Sequence, residues 1–137
     1  MQKPSHQVAV GIIRRGNEIL LVEQQGPGDP ISGWALPGGR AEPGELLNEA
    51  LEREVREETG IVVRQIGHLA YVAQFDNPNP EAIIRTNTPG DGFLATVFVF
   101  EIREWNGEIN TNDPDQFILQ AKFLPLVDAI EIGRAHV

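Results

Sequence analysis

Apolar and polar positions alternate through QVAVGIIRR, Gln7 to Arg15, which predicts a strand. Gly16–Asn17 supplies a turn, and EILLVEQQ predicts the partner strand of a hairpin. GPGDPISG, Gly26 to Gly33, reads as a loop, and WALPGG as a short strand. The period then changes. From Pro43 to Thr59, a turn of about 100° per residue gathers Leu47, Ala50, Leu51 and Val55 on one stripe, so a helix is predicted. LLNEALEREV consists of good helix formers. Pro43 suits a first helical turn, and Gly60 suits a left-handed stop. Ile61 to Phe75 returns to strand, with an interruption near Gly67. Asp76 to Gly92 is polar and rich in proline, glycine and asparagine, and predicts a long loop. FLATVFVFEIREW is a strand ending in a turn at Asn106–Gly107. FILQAKFLPL is a last strand, VDAIEI starts a short helix, and GRAHV shows no element. Strands on both sides of a central helix predict an α/β (α+β) fold layered as helix, mixed β-sheet, helix.

The central helix carries charge where its dipole disfavours it. Glu42 and Glu45 fall at the favourable N-terminal end, but Glu54, Glu57 and Glu58 fall in the last two turns. Each anion there costs roughly 0.3–1 kcal/mol. Glu54 and Glu58 project into the apolar stripe and Glu57 flanks it. Glu49, Glu52 and Arg56 lie on the solvated side, where Glu49–Arg53 and Glu52–Arg56 form favourable i,i+4 pairs. Glutamate runs on helices are usually solvated surface. These point at the body of the protein instead, where an unpartnered carboxylate is expensive. Arg53 is placed to neutralise Glu57 at i+4. The remaining charge calls for another cation, and hard divalent metals take oxygen ligands.

Composition sets limits. With 137 residues the chain is expected to form one domain with a sizeable core. No apolar run approaches the roughly 20 residues of a membrane span, and no signal-type apolar region stands at the N-terminus. The chain has no cysteine, which excludes disulfides and thiolate metal sites; together these features fit a cytoplasmic protein. Net charge is −9 and the only lysines are Lys3 and Lys122, so long nucleic acid is not an expected partner. An acidic chain still takes a small phosphorylated ligand if metal ions supply positive charge. There is no P-loop, and His6, His68 and His136 have no metal-ligand spacing.

GGRAEPGELLNEALEREVREETGI fits G-x5-E-x7-R-E-U-x-E-E-x-G-U, U being aliphatic. The fixed positions are Gly39, Glu45, Arg53, Glu54, Val55, Glu57, Glu58, Gly60 and Ile61, preceded by Trp34, Leu36, Pro37 and Gly38. This resembles the Nudix box, with every fixed position filled. The resemblance implies a single Nudix hydrolase domain over residues 1–137, a Nudix-type α/β/α sandwich. It also implies metal-dependent hydrolysis of the diphosphate linkage in a nucleoside diphosphate linked to another moiety. That substrate is a nucleotide sugar such as ADP-ribose, or a (deoxy)nucleoside triphosphate. The implied cofactor is Mg²⁺ or Mn²⁺, held by Glu54, Glu57 and Glu58 with the Gly38 carbonyl. Glu57 and Glu58 are the catalytic acids implied inside the box, with Arg53 orienting a glutamate. Gly39 and Glu45 support them, Glu45 as a first-turn dipole partner or reaching toward a metal water. The general base is Glu57, Glu58 or an acid outside the box: Glu101, Glu108, Asp113 or Asp115.

Substrate recognition is expected near the loop from Asp76 to Gly92, with Phe75 or Phe93 placed to stack a ring and Arg85 to meet a phosphate. Trp34 is expected in the core and Tyr71 on a strand. Pro78 is a weak match to the proline of ADP-ribose hydrolases. The expected partners are a small nucleotide-type substrate, no membrane, and for a possible homodimer a second copy of the chain. The alternative is a catalytically inactive Nudix-fold module that binds nucleotides for regulation; such modules usually have eroded boxes, and this box keeps all its acids.

Overall fold

The computed structural model describes residues 4–26, 28–77 and 93–135. The predicted first strand is divided into β1 (Ser5–Ile12) and β2 (Arg14–Arg15). Ile13, between them, is fully buried, and its carbonyl accepts the N–H of Leu20. Gly16 turns at φ +60° into β3 (Glu18–Gln24). β4 (Gly33–Ala35) and β5 (Gly38–Arg40) lead to helix α1 (Leu47–Thr59). β6 (Val62–Asn77), β7 (Phe93–Asn106), β8 (Ile118–Pro125) and α2 (Leu126–Ala135) follow.

The strands form two sheets. One is mixed, in the order β5-β1-β7-β6, with β1 and β7 parallel and the other pairs antiparallel. The second joins β2, β3 and β4, and β8 pairs antiparallel with β3. β6 shifts register against β7 repeatedly between Val63 and Tyr71, which is the interruption expected near Gly67.

One core unites these layers. Leu51 and Val55 of α1 meet Ala9 of β1, Leu20 and Val22 of β3, Val63 of β6, and Ile118, Ala121 and Phe123 of β8. The stripe predicted for α1 therefore seals both sheets. Leu21 points to the opposite face of β3 and is also buried, which fits the packing of α2 on β3 and β8. The result is the mixed-sheet α/β arrangement that the hydrophobic pattern predicts.

Three boundaries differ from expectation. The helix begins at Leu47 rather than Pro43, because Pro43 and Gly44 form a turn closed by the Glu45 N–H on the Glu42 carbonyl. Gly44 at φ +81° breaks any helical path, and proline followed by a left-handed glycine is a type II turn pattern. Glu45 thus precedes the helix and is not its first-turn dipole partner. The loop expected from Asp76 starts later, since β6 runs to Asn77. Residues 78–92, with Pro78 and Arg85, lie outside the described residues. Finally, α2 continues to Ala135, through part of GRAHV.

Candidate active site

Helix α1 ends where Gly60 adopts φ +80° and donates its N–H to the Arg56 carbonyl. A helix end leaves carbonyls without intrahelical partners. A later segment takes up the next three. Asn112 N–H donates to the Glu57 carbonyl at 2.8 Å, Thr111 Oγ1 to the Glu58 carbonyl at 3.0 Å, and Asn110 N–H to the Thr59 carbonyl at 2.8 Å. This strap packs against Gly60, where an added Cβ would stand 2.7 Å from Asn110 N. The turn carrying Glu57 and Glu58 is therefore held from outside the helix.

β5 holds it from the other side. Glu58 is only 2% exposed, and its Oε1 accepts the Gly38 N–H at 2.9 Å. Gly38 sits at φ +146°, and a Cβ there would lie 2.1 Å from the Ala9 carbonyl oxygen. A Cβ on Gly39 would stand 2.6 Å from Glu54 Cδ. The glycine pair thus lets main chain and carboxylate approach where any side chain would intrude.

Arg53 is the local cation. It donates to Glu45 through Nε at 2.8 Å and Nη2 at 3.0 Å, and to Glu54 through Nη1 at 2.8 Å. Its contact with Glu57 is longer, 3.5 Å, and Nη2 also reaches the Arg40 carbonyl. The expected pairing with Glu57 is thus secondary, because the turn before the helix places Glu45 to accept both N–H groups of the Nε–Nη2 edge of the guanidinium. The Glu49–Arg53 pair is likewise replaced, since Glu49 accepts the Leu46 N–H at the helix start. Arg53's hydrogen bond holds Glu45 below the usual carboxylate range, and Glu45 in turn pushes the Arg53 pKa upward.

Arg53, Glu54, Glu57 and Glu58 line an open cleft of about 280 Å³ with Gly39, Arg40, Glu42, Asp113, Pro114, Asp115 and Phe117. Among the described residues, six carboxylates and two guanidiniums line it. Glu57 registers the imbalance. Burial pushes its pKa up, Arg53 opposes this, and Asp113, Asp115 and Glu42 add repulsion.

Of the acids named outside the box, the cleft gathers Asp113 and Asp115. Glu101 instead lies against His68 at 3.0 Å and Arg14 at 3.7 Å, in a different hollow. Glu108 lines a hollow behind the end of α1. Phe75 is 52% exposed on β6 and is not in the cleft lining. Arg40, Glu42 and Phe117 in the lining, and the strap itself, were not foreseen. The strap's partners are main-chain carbonyls, which leave no mark in side-chain identity.

The cleft suits a hard divalent cation in its donor chemistry, which is all oxygen and deficient in positive charge. Among the described residues, no three acidic or histidine side chains stand as a ready-made metal cage. Glu58 is turned to Gly38 and Glu54 to Arg53, so taking up a cation requires those side chains to rotate.

The family model described as NUDIX domain matches residues 5–136. An ADP-ribose pyrophosphatase of Methanocaldococcus jannaschii is 47% identical over 127 residues, covering 92% of this chain and 65% of that one. An 8-oxo-dGDP phosphatase of Homo sapiens is 32% identical over 121 residues, covering 88% of this chain. The chain spans 32% of the length of that human relative. A solved MutT protein from Methanosarcina mazei superposes with TM-score 0.71 at 22% identity, covering 96% of this chain and 84% of that one. A MutT NUDIX hydrolase from Burkholderia pseudomallei gives 0.69 at 24%, covering 91% and 86%. At these identities the solved structures establish the fold.

Proposed function

The chain belongs to the NUDIX domain family, and on that premise we propose that it is a metal-dependent pyrophosphohydrolase. Its substrate is a nucleoside diphosphate linked to another moiety, either a nucleotide sugar such as ADP-ribose or a (deoxy)nucleoside triphosphate. The observation that carries this reading is the cleft, where six carboxylates and two guanidiniums among the described residues gather on one helix and its rims. The relative named ADP-ribose pyrophosphatase supports the nucleotide-sugar choice. The relative from Haemophilus influenzae named 8-oxo-dGTP diphosphatase supports the triphosphate choice.

Glu54, Glu57 and Glu58 would hold Mg²⁺ or Mn²⁺, and Gly38, whose N–H already meets Glu58, would add its main-chain oxygen. When bound, the cation neutralises diphosphate charge and raises the acidity of water. The chain's own residues do the rest. Arg53 anchors Glu45 and Glu54 beside the cleft. Glu57, which burial and the neighbouring acids push above the usual carboxylate range without metal, is one of the candidates inside the box for the base. Asp115 is exposed on the opposite rim and is the candidate base outside the box. The strap and β5 keep the glutamate turn from moving as charge builds on the substrate.

A substrate panel of ADP-ribose, other nucleotide sugars and nucleoside triphosphates, with Mg²⁺ or Mn²⁺ and product identification, tests the reading. The expected result is cleavage within the diphosphate, abolished by EDTA. A crystal soaked in Mn²⁺ should show anomalous density beside Glu54, Glu57 and Glu58; density only elsewhere sinks the ligand assignment.

A further inference from the structure

Asp113 faces the cleft among the other acids, but its oxygens are committed elsewhere. Oδ2 accepts the N–H groups of Phe117 at 2.7 Å and Ile118 at 3.1 Å, and Oδ1 accepts that of Asp115 at 3.2 Å. Its own carbonyl accepts the Gln116 N–H at 3.1 Å. Gln116, inside this turn, has φ +59°, the one positive value among described residues other than glycine. Such a conformation persists where surrounding bonds over-determine it. On one side the turn continues into β8. On the other it continues into the strap that bonds the carbonyls of Glu57, Glu58 and Thr59.

We propose that Asp113 is a positioning residue, neither a metal ligand nor the base. Its carboxylate closes the turn that carries Asp115 and Phe117 over the cleft, and it registers that rim, through the strap, against the glutamate turn of α1. This rests on the hydrolase reading above. A carboxylate that accepts three main-chain N–H groups has its lone pairs occupied on the side facing the turn. Losing it leaves those donors unpaired and the rim loose.

Asp113→Asn keeps the size but replaces one acceptor oxygen with an amide that faces N–H donors. The expected result is a fall of about tenfold in kcat/KM, with Mn²⁺ affinity read by electron paramagnetic resonance without substrate kept within about twofold. Asp113→Ser closes the same turn more weakly and recovers part of the loss, whereas Asp113→Ala does not. All variants are compared well below their melting temperatures. A loss of Mn²⁺ affinity of about tenfold or more would tie Asp113 to the metal site itself, as a ligand or a direct support of one, and overturn the proposal. Unchanged kcat/KM in Asp113→Ala overturns it too. If the wild type hydrolyses no diphosphate, the hydrolase reading fails separately, and ADP binding in the presence of Mn²⁺ becomes the readout. Asp113→Asn then weakens ADP binding about tenfold on the proposal, and unchanged binding refutes it. A wild type that binds no ADP overturns both.

Discussion

Helices α1 and α2 both carry apolar residues and stand in opposite circumstances. In α1, Ala50, Leu51 and Val55 are fully buried between two sheets, and both ends are closed by named partners. In α2, Leu126, Val127 and Ile130 are 45%, 65% and 48% exposed. Among the described residues, α2 packs chiefly on β3 and β8. The lesson is that an apolar stripe reports its surroundings only when something covers it on every side. Where it does, as on α1, a polar residue within the stripe is forced into contact with a partner. Where it does not, charge on the helix is free to be ordinary.

The largest effect should separate the acids of the two helices. Glu57→Gln and Glu58→Gln should each lower kcat by at least ~10², if they hold the cation or move the proton. Asp128→Asn on α2, the same loss of charge, should leave turnover unchanged. Steady-state kinetics at saturating Mg²⁺ decides, and equal effects on the two helices would erase the distinction.

Next comes packing. Leu51→Ala should destabilise the fold by about 2–5 kcal/mol. Ile130→Ala, on a half-exposed position, should cost well under ~1 kcal/mol. Denaturant titrations compare them directly, and a large loss at Ile130 would mean that α2 is covered by something in solution.

The smallest effect concerns pH without metal. Glu57 has a raised pKa, so the folded chain binds its proton more tightly than the unfolded chain does. Its contribution to stability is most favourable at low pH and declines as pH rises through and above the normal glutamate range. In EDTA, Glu57→Gln should therefore melt at or above the wild-type temperature near neutral pH, and the difference should shrink toward acid. Melting scans across pH test this. Added Mn²⁺ should raise the wild-type melting temperature and move Glu57→Gln less, since only a site in the folded state gains from binding.

Much of this was legible in residue order. The strands, the stop at Gly60 and the inward acids follow from periodicity and from glycine placement. The helix start is not legible there, because Glu42 and Pro43 mimic a first turn while Gly44 redirects the chain by a dihedral that composition does not reveal. Helical spacing pairs Arg53 with Glu57 because it counts only neighbours on the helix, whereas Glu45 reaches Arg53 from the turn before. Asp113 and Asp115 were two acids among several; their selection depends on main-chain bonds to α1 from far along the chain.

That distance matters while the protein is being made. Thr111 and Glu58 are 53 positions apart. At ordinary translation speeds the glutamate turn leaves the ribosome roughly 3–10 s before the strap that secures it. During that interval the carbonyls of Glu57, Glu58 and Thr59 face water, and the crowded acids have no rim opposite them. A nascent chain stalled before Asn110 would display the entire signature from Gly39 to Ile61 while holding no cleft, so the site is assembled only after the diagnostic stretch has long been finished.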